Sequence, residues 1–163
     1  MKSNRYNVIA DFLEYIENIR RYSPHTVRSY RHDLDEYSDF CQSIEPKKDL
    51  TDLDQTAIQS YLQDLSHKGL SAKTLARRLA SVKSLYKYMH MKKIVKINIT
   101  QFVKTPKIKK ELPHFLSLKE AKAILKLPVG DDEKALRERL ILELFYATGV
   151  RISELIAIQL NDV

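Results

Sequence analysis

Between Ser71 and Met91 the residues Leu75, Leu79, Val82, Leu85, Tyr86 and Met89 recur at the spacing of one helix face, while Lys73, Arg77, Lys83 and Lys87 fall on the other. Such a segment must bury one side against other elements. Its charge setting is one-sided: from Lys68 to Lys110 there are thirteen lysines and arginines and no aspartate or glutamate. The flanking stretches, 1–67 and 111–163, are balanced or slightly acidic, so the formal excess of +7 comes from this stretch alone. A helix that buries one face and points four cations outward suits a polyanion, and nucleic-acid phosphate is the commonest candidate. A solvated lysine face is the ordinary alternative, but the lack of balancing acids favours the polyanion.

Three further amphipathic segments precede it. Asn7 to Arg21 places Val8, Ile9, Phe12, Leu13, Ile16 and Ile19 on one side of a first helix. Ser23 then caps, and Pro24 opens, a second helix that runs to about Gln42 and buries Val27, Tyr30, Leu34, Tyr37 and Cys41. His25, Arg28, Arg31 and His32 gather away from that face and could touch phosphates. Asp33, Asp35, Glu36 and Asp39 on the same helix could equally neutralise them. Thr51-Asp52-Leu53-Asp54 supplies a cap and two acids for a third helix, which buries Leu53, Ala57, Ile58, Tyr61, Leu62 and Leu65 and ends at Gly69. Ser71 caps the basic fourth helix. Four helices with one apolar face each satisfy themselves by packing into a bundle, which makes residues 1–104 one domain.

Thr105 to Pro113 has no helical period, two prolines and three lysines, Lys107, Lys109 and Lys110. It reads as a semi-rigid basic linker over 105–113 whose lysines lie along the same polyanion. Residues 114–163 begin a second domain. Ser117 and Glu120 form a capping box, with Ala121, Ile124, Leu125 and Leu127 behind it. Another helix opens near Asp131-Asp132, buries Leu136, Leu140, Ile141, Leu144 and Phe145, and stops at Gly149. Fifty residues past the linker are few for a complete core, so this second one is expected to be unfinished.

Composition narrows the class. With three glycines, five prolines and 44% hydrophobic residues, the chain reads as a mostly helical globular protein, all-α as given. No apolar run approaches the ~20 residues that cross a bilayer, and the first residues lead into an amphipathic helix, so a cytoplasmic location with no membrane partner is expected. A lone cysteine, Cys41, excludes a disulfide framework, and five scattered histidines give no metal-ligand spacing; no structural metal is expected. Cys41 reads as a small buried hydrophobe.

The sharpest motif is Ala147-Thr148-Gly149-Val150-Arg151-Ile152-Ser153-Glu154-Leu155. If Ser153 to Ile158 is helical, Arg151 and Glu154 lie within one turn, which by itself describes a structural ion pair at a helix start. At these residues the sequence closely resembles the first catalytic box of the tyrosine recombinase (phage-type integrase) family, particularly its Xer-like members. Ser23-Pro24-His25-Thr26-Val27, Tyr30 and Asp33-Leu34 resemble the opening of that family's core-binding, SAM-like domain. Leu70-Ser71 with Thr74 resembles its later part, and Leu112-Pro113, Leu116-Ser117 and Glu120 resemble the entry into its catalytic domain. Ile99 departs from the proline that many members place after the asparagine; only a small change in turn geometry is expected.

The resemblance implies a chain that wraps double-stranded DNA between two domains, cleaves one strand with a tyrosine and holds the end as a 3′-phosphotyrosyl ester, without metal or cofactor. Arg151 would be the first catalytic arginine, its planar fork matching the charge that grows on the phosphate oxygens. Glu154 would orient it. The family's lysine, His-x-x-Arg box, further His or Trp and nucleophilic tyrosine come later than this box, and none of the nine tyrosines here fits the nucleophile. The resemblance therefore implies that this chain is a fragment that binds DNA without cutting it, the first half of a recombinase whose subunits assemble as tetramers, itself monomeric. Residues that would face DNA are Lys73, Arg77, Lys83 and Lys87, then His25, Arg28 and Arg31, then Lys107, Lys109 and Lys110, with Lys73 and Arg77 first among base readers. Two other readings stay open: a stand-alone regulator that binds recombination sites without cutting, and a helical module for an acidic protein partner. Chromosome dimer resolution and mobile-element integration are not distinguished.

Overall fold

The computed structural model describes residues 4–108, 115–159 and 161. Every regular element among them is helical. The chain divides into two compact units, 1–110 and 111–163. Residues 105–108 thus group with the first unit, and the Lys83 ammonium supports this by donating to Thr105 Oγ1 at 3.0 Å.

The first unit is a bundle of α1 (Asn4–Glu14), α2 (Pro24–Ile44), α3 (Gln55–His67) and α4 (Ala72–Met91), followed by a 3-10 turn at Ile99–Phe102. The caps are local and chemically plain. Ser23 Oγ accepts from Thr26 N–H, and Ser71 Oγ accepts from Thr74 N–H. Asp54, and not Thr51, caps α3, accepting from Thr56 and Ala57 N–H. Asn98 accepts from Thr100 N–H at the 3-10 turn. Gly69, at φ +78°, ends α3 with the Leu70 N–H reaching back to Leu65 C=O. Lys93 does the same after α4 at φ +59°, in a region that disfavours a side chain.

The core joins all four helices, with Leu34, Ile58, Leu65, Val82, Leu85 and Met89 fully enclosed and Tyr37, Tyr61 and Tyr86 among its largest members. Cys41 is buried there, and Tyr30 and Leu62 are only partly buried against it. One expectation fails. Ile19 is 70% exposed, because α1 widens into a π-helical turn at Tyr15–Ile19, closed by Arg20 N–H to Tyr15 C=O, which rotates Ile19 off the apolar stripe.

The second unit comprises α5 (Leu118–Leu125), α6 (Glu133–Thr148) and α7 (Ile152–Ala157). Ser117 and Glu120 form the expected capping box, Asp132 caps α6, and Gly149 ends it at φ +66°. Burial differs from the periodicity. Leu136 and Leu140 stand 50% and 57% exposed, Leu127 is exposed too, and Ala135 is the one buried residue among those described in this unit. Ile141, Leu144 and Phe145 on the same stripe are half-buried, so among the described residues the packing of α5 and α6 covers only part of that face and leaves Leu136 and Leu140 open.

Candidate nucleic-acid interface

Lys73, Arg77 and Lys87 are exposed and share one stripe of α4, spaced four and ten residues apart. Lys73 and Lys87 have no carboxylate partner among the described residues. The other two expected cations of this helix face are committed. Lys83 is partly buried and ties down Thr105. Arg77, expected to point freely outward, donates through Nη1 to Asp33 Oδ2 of α2. Its side chain stays 51% exposed while that of Asp33 is 1% exposed.

Asp33 is therefore not one of the acids that neutralise the α2 surface. It lies in the seam between α2 and α4, where Ser81 also donates to its Oδ2 at 2.8 Å and its Oδ1 is buried with no hydrogen-bond partner. Further along the seam Tyr30 meets Ser84 at 3.4 Å and Arg78 meets Glu36 at 2.5 Å. Positions rise on α2 as they fall on α4, so the two helices run antiparallel. The arginine doublet is split by this packing. Arg78, only 11% exposed, braces the bundle, whereas Arg77 keeps much of its guanidinium in solvent.

On α2, His25, Arg28 and Arg31 are exposed as expected. They do not form one patch: at about 100° per residue, His25 flanks the seam with α4, while Arg28 and Arg31 turn progressively away from it. The four acids on this helix divide likewise. Glu36 is shared between Arg78 and His32, the latter at 3.5 Å, and Asp35 keeps a carboxyl raised by burial against the opposing pull of Arg31. Lys107 is exposed; Lys109 and Lys110 lie outside the described residues.

A cavity of about 160 Å³ beside the π-helical turn was not legible in the sequence. Phe12, Tyr15, Tyr22, Tyr30 and Tyr88 line it, with Arg20 and Lys87. Its rings form a chain, Tyr15 to Tyr88 to Phe12 to Tyr30 to Tyr22, with centroids 5.1 to 6.1 Å apart. Its residues come from α1, the π-helical turn and the loop after it, α2 and α4, at separations that no local pattern links.

In the second unit Arg151 occupies the N-cap of α7. Glu154 Oε1 accepts from its Nη1, and Glu154 Oε2 from its backbone N–H, both at 2.8 Å. Those two bonds, the backbone one first, hold the Glu154 carboxyl below the usual glutamate range. Arg151 is 82% exposed, so the carboxylate fixes one edge of the fork and leaves the rest open to a ligand. Tyr146, one turn before Gly149, is 55% exposed. Among the described residues no group of three His, Cys, Asp or Glu is arranged to hold a metal, and no helix is long and apolar enough to cross a membrane.

Residues 9–93 match the family model for the phage integrase N-terminal SAM-like domain. The chain is 34% identical over 161 residues to tyrosine recombinase XerC of Thermodesulfovibrio yellowstonii, an alignment covering 99% of this chain and 52% of that protein. It is 37% identical over 162 residues to XerC of Pelotomaculum thermopropionicum, covering 97% and 53%. With tyrosine recombinase XerD of Staphylococcus saprophyticus the identity is 35% over 156 residues, covering 96% and 52%. The chain thus spans about half the length of the curated relatives it matches.

Proposed function

We propose, on the premise that this chain belongs to the phage integrase family and carries its N-terminal SAM-like domain, that it grips double-stranded DNA for a site-specific tyrosine recombinase of the Xer kind. The observation that carries this reading is the α4 stripe: Lys73 and Lys87 stand exposed without acid partners among the described residues, inside a stretch that contains no aspartate or glutamate at all. Cations that have no internal counter-ion gain most from phosphate, since each contact releases condensed counter-ions from the duplex. Arg77 on the same stripe is the proposed base reader, and His25, Arg28, Arg31, Lys83 and Lys107 to Lys110 add phosphate contacts.

In the whole protein, strand exchange would proceed through a 3′-phosphotyrosyl ester. Arg151 would clamp the scissile phosphate, and Glu154 would hold its fork in place before the phosphate arrives. The charge that builds on the non-bridging oxygens is met by N–H donors already aimed, which lowers the barrier without proton transfer from the arginine. The ester stores the bond for rejoining, so neither metal nor cofactor is required. Residues 1–163 alone would bind and not cleave. Domains at 1–104 and 114–163 joined by a basic strap, a cytoplasmic, chromosome-associated location and tetrameric assembly on two duplexes complete the reading.

The test is the salt dependence of duplex binding by residues 1–163. Neutralising about six phosphates gives a slope of about −5 in log K against log salt. A slope near zero, or no binding, would sink the proposal, and so would release of nicked or tyrosine-linked DNA by this span alone for its non-cutting part.

A further inference from the structure

We infer that Asp33 is a positioning residue for sequence readout: buried beneath the seam of α2 and α4, it fixes the guanidinium of Arg77 so that its remaining N–H donors meet a base edge. The inference rests on the DNA reading above.

A buried carboxylate is costly unless it is paired. Asp33 is 1% exposed and spends one oxygen, Oδ2, on both Arg77 Nη1 and Ser81 Oγ. The cation it holds is at the surface. That asymmetry is absent next door, where Arg78 is the enclosed partner and Glu36 the more exposed one, an arrangement that serves only to brace the helices. Arginine has five donors in a rigid fork, and one bond to Asp33 leaves most of them unspent. A long side chain normally loses rotamer freedom when it binds; one already anchored loses less. The pair also carries no net charge, so Arg77 adds little to the long-range pull on phosphate, which falls to Lys73 and Lys87. A neutralised, immobilised arginine at a surface seam has the properties of a reader of guanine O6 and N7 more than of a phosphate clamp.

The measurement uses residues 1–163 and a pool of duplexes randomised over their central positions. Enriched duplexes are compared with the unselected pool to give a preference ratio. Asp33→Asn frees Arg77 and adds one net positive charge. The expected result is a preference ratio lowered about tenfold while affinity for the unselected pool holds or rises. A brace that merely supports folding would move both affinities together, and that outcome overturns the inference, as does an unchanged ratio. Wild-type protein that binds duplexes without enriching any sequence overturns it too, while leaving the DNA reading intact. Wild-type protein that binds no duplex removes the DNA reading itself. Should Asp33→Asn fail to fold, Ser81→Ala decides. It loosens the same carboxylate and keeps the charge pair, so a lowered ratio at unchanged pool affinity supports the inference and an unchanged ratio overturns it.

Discussion

Tyr86 donates its hydroxyl hydrogen to Leu50 C=O at 2.8 Å and stands 3.3 Å from the hydroxyl of Tyr37, so a three-member polar chain runs through the closed centre of the first unit. Because Tyr86 gives its hydrogen to the carbonyl, Tyr37 supplies the one between the two rings. Tyr86→Phe strands a buried carbonyl and takes one of its partners from the Tyr37 hydroxyl, and should cost about 1–3 kcal/mol. Tyr37→Phe leaves the carbonyl bond intact and should cost less. Denaturant melts of the two variants give the order, and equal losses would contradict it.

Burial pushes the Tyr37 hydroxyl well above its usual value of 10 and Tyr61 to about 12. For an acid whose folded pKa is raised, the stabilisation is complete below the unfolded value and disappears as pH climbs through the folded one. Stability should therefore be level with respect to these groups below pH 10 and fall between 10 and about 12. Denaturant melts taken from pH 9 to pH 12 read this directly, and an unchanged midpoint across that range would count against it.

Lys93 closes α4 in the left-handed region at φ +59°, where glycine is the usual occupant. Lys93→Gly should raise stability by about 0.5–1 kcal/mol, net of the entropy glycine loses on folding. A thermal melt reads this directly, and a lower midpoint would refute it.

Much of this was readable because it is local. Ser23, Ser71, Ser117 and Asp132 each cap a helix with a side chain that accepts from the backbone donor three residues on, so the sequence neighbourhood contains the whole interaction. The Arg151 and Glu154 pair was visible for the same reason. Asp33 was not, since its partners stand 44 and 48 residues away. Its position was the missed signal: three residues after Tyr30 and four before Tyr37, it occupies the apolar face of α2, where an acid requires a buried cation. The π-helical turn left no composition cue, and Ile19 followed it out of the core. Leu136 and Leu140 show the limit of periodicity, which identifies a face that could be buried and says nothing of whether a neighbour covers it.

That exposure has a kinetic readout. Amides of α6, whose helix buries only Ala135, should exchange hydrogen orders of magnitude faster than those of α4, which encloses Leu79, Val82, Leu85 and Met89. Equal protection in the two helices would contradict the burial pattern.

The wide turn at Tyr15–Ile19 holds one residue more than an α-helical turn needs to climb the same distance. Loss of a single residue there would let the helix close as an ordinary turn, with Phe12 keeping its seat in the core. The first helix thus has a built-in place where chain length can vary by one without shifting the frame of the bundle, so natural variants differing by one residue in this part of the chain would place the gap between Tyr15 and Ile19.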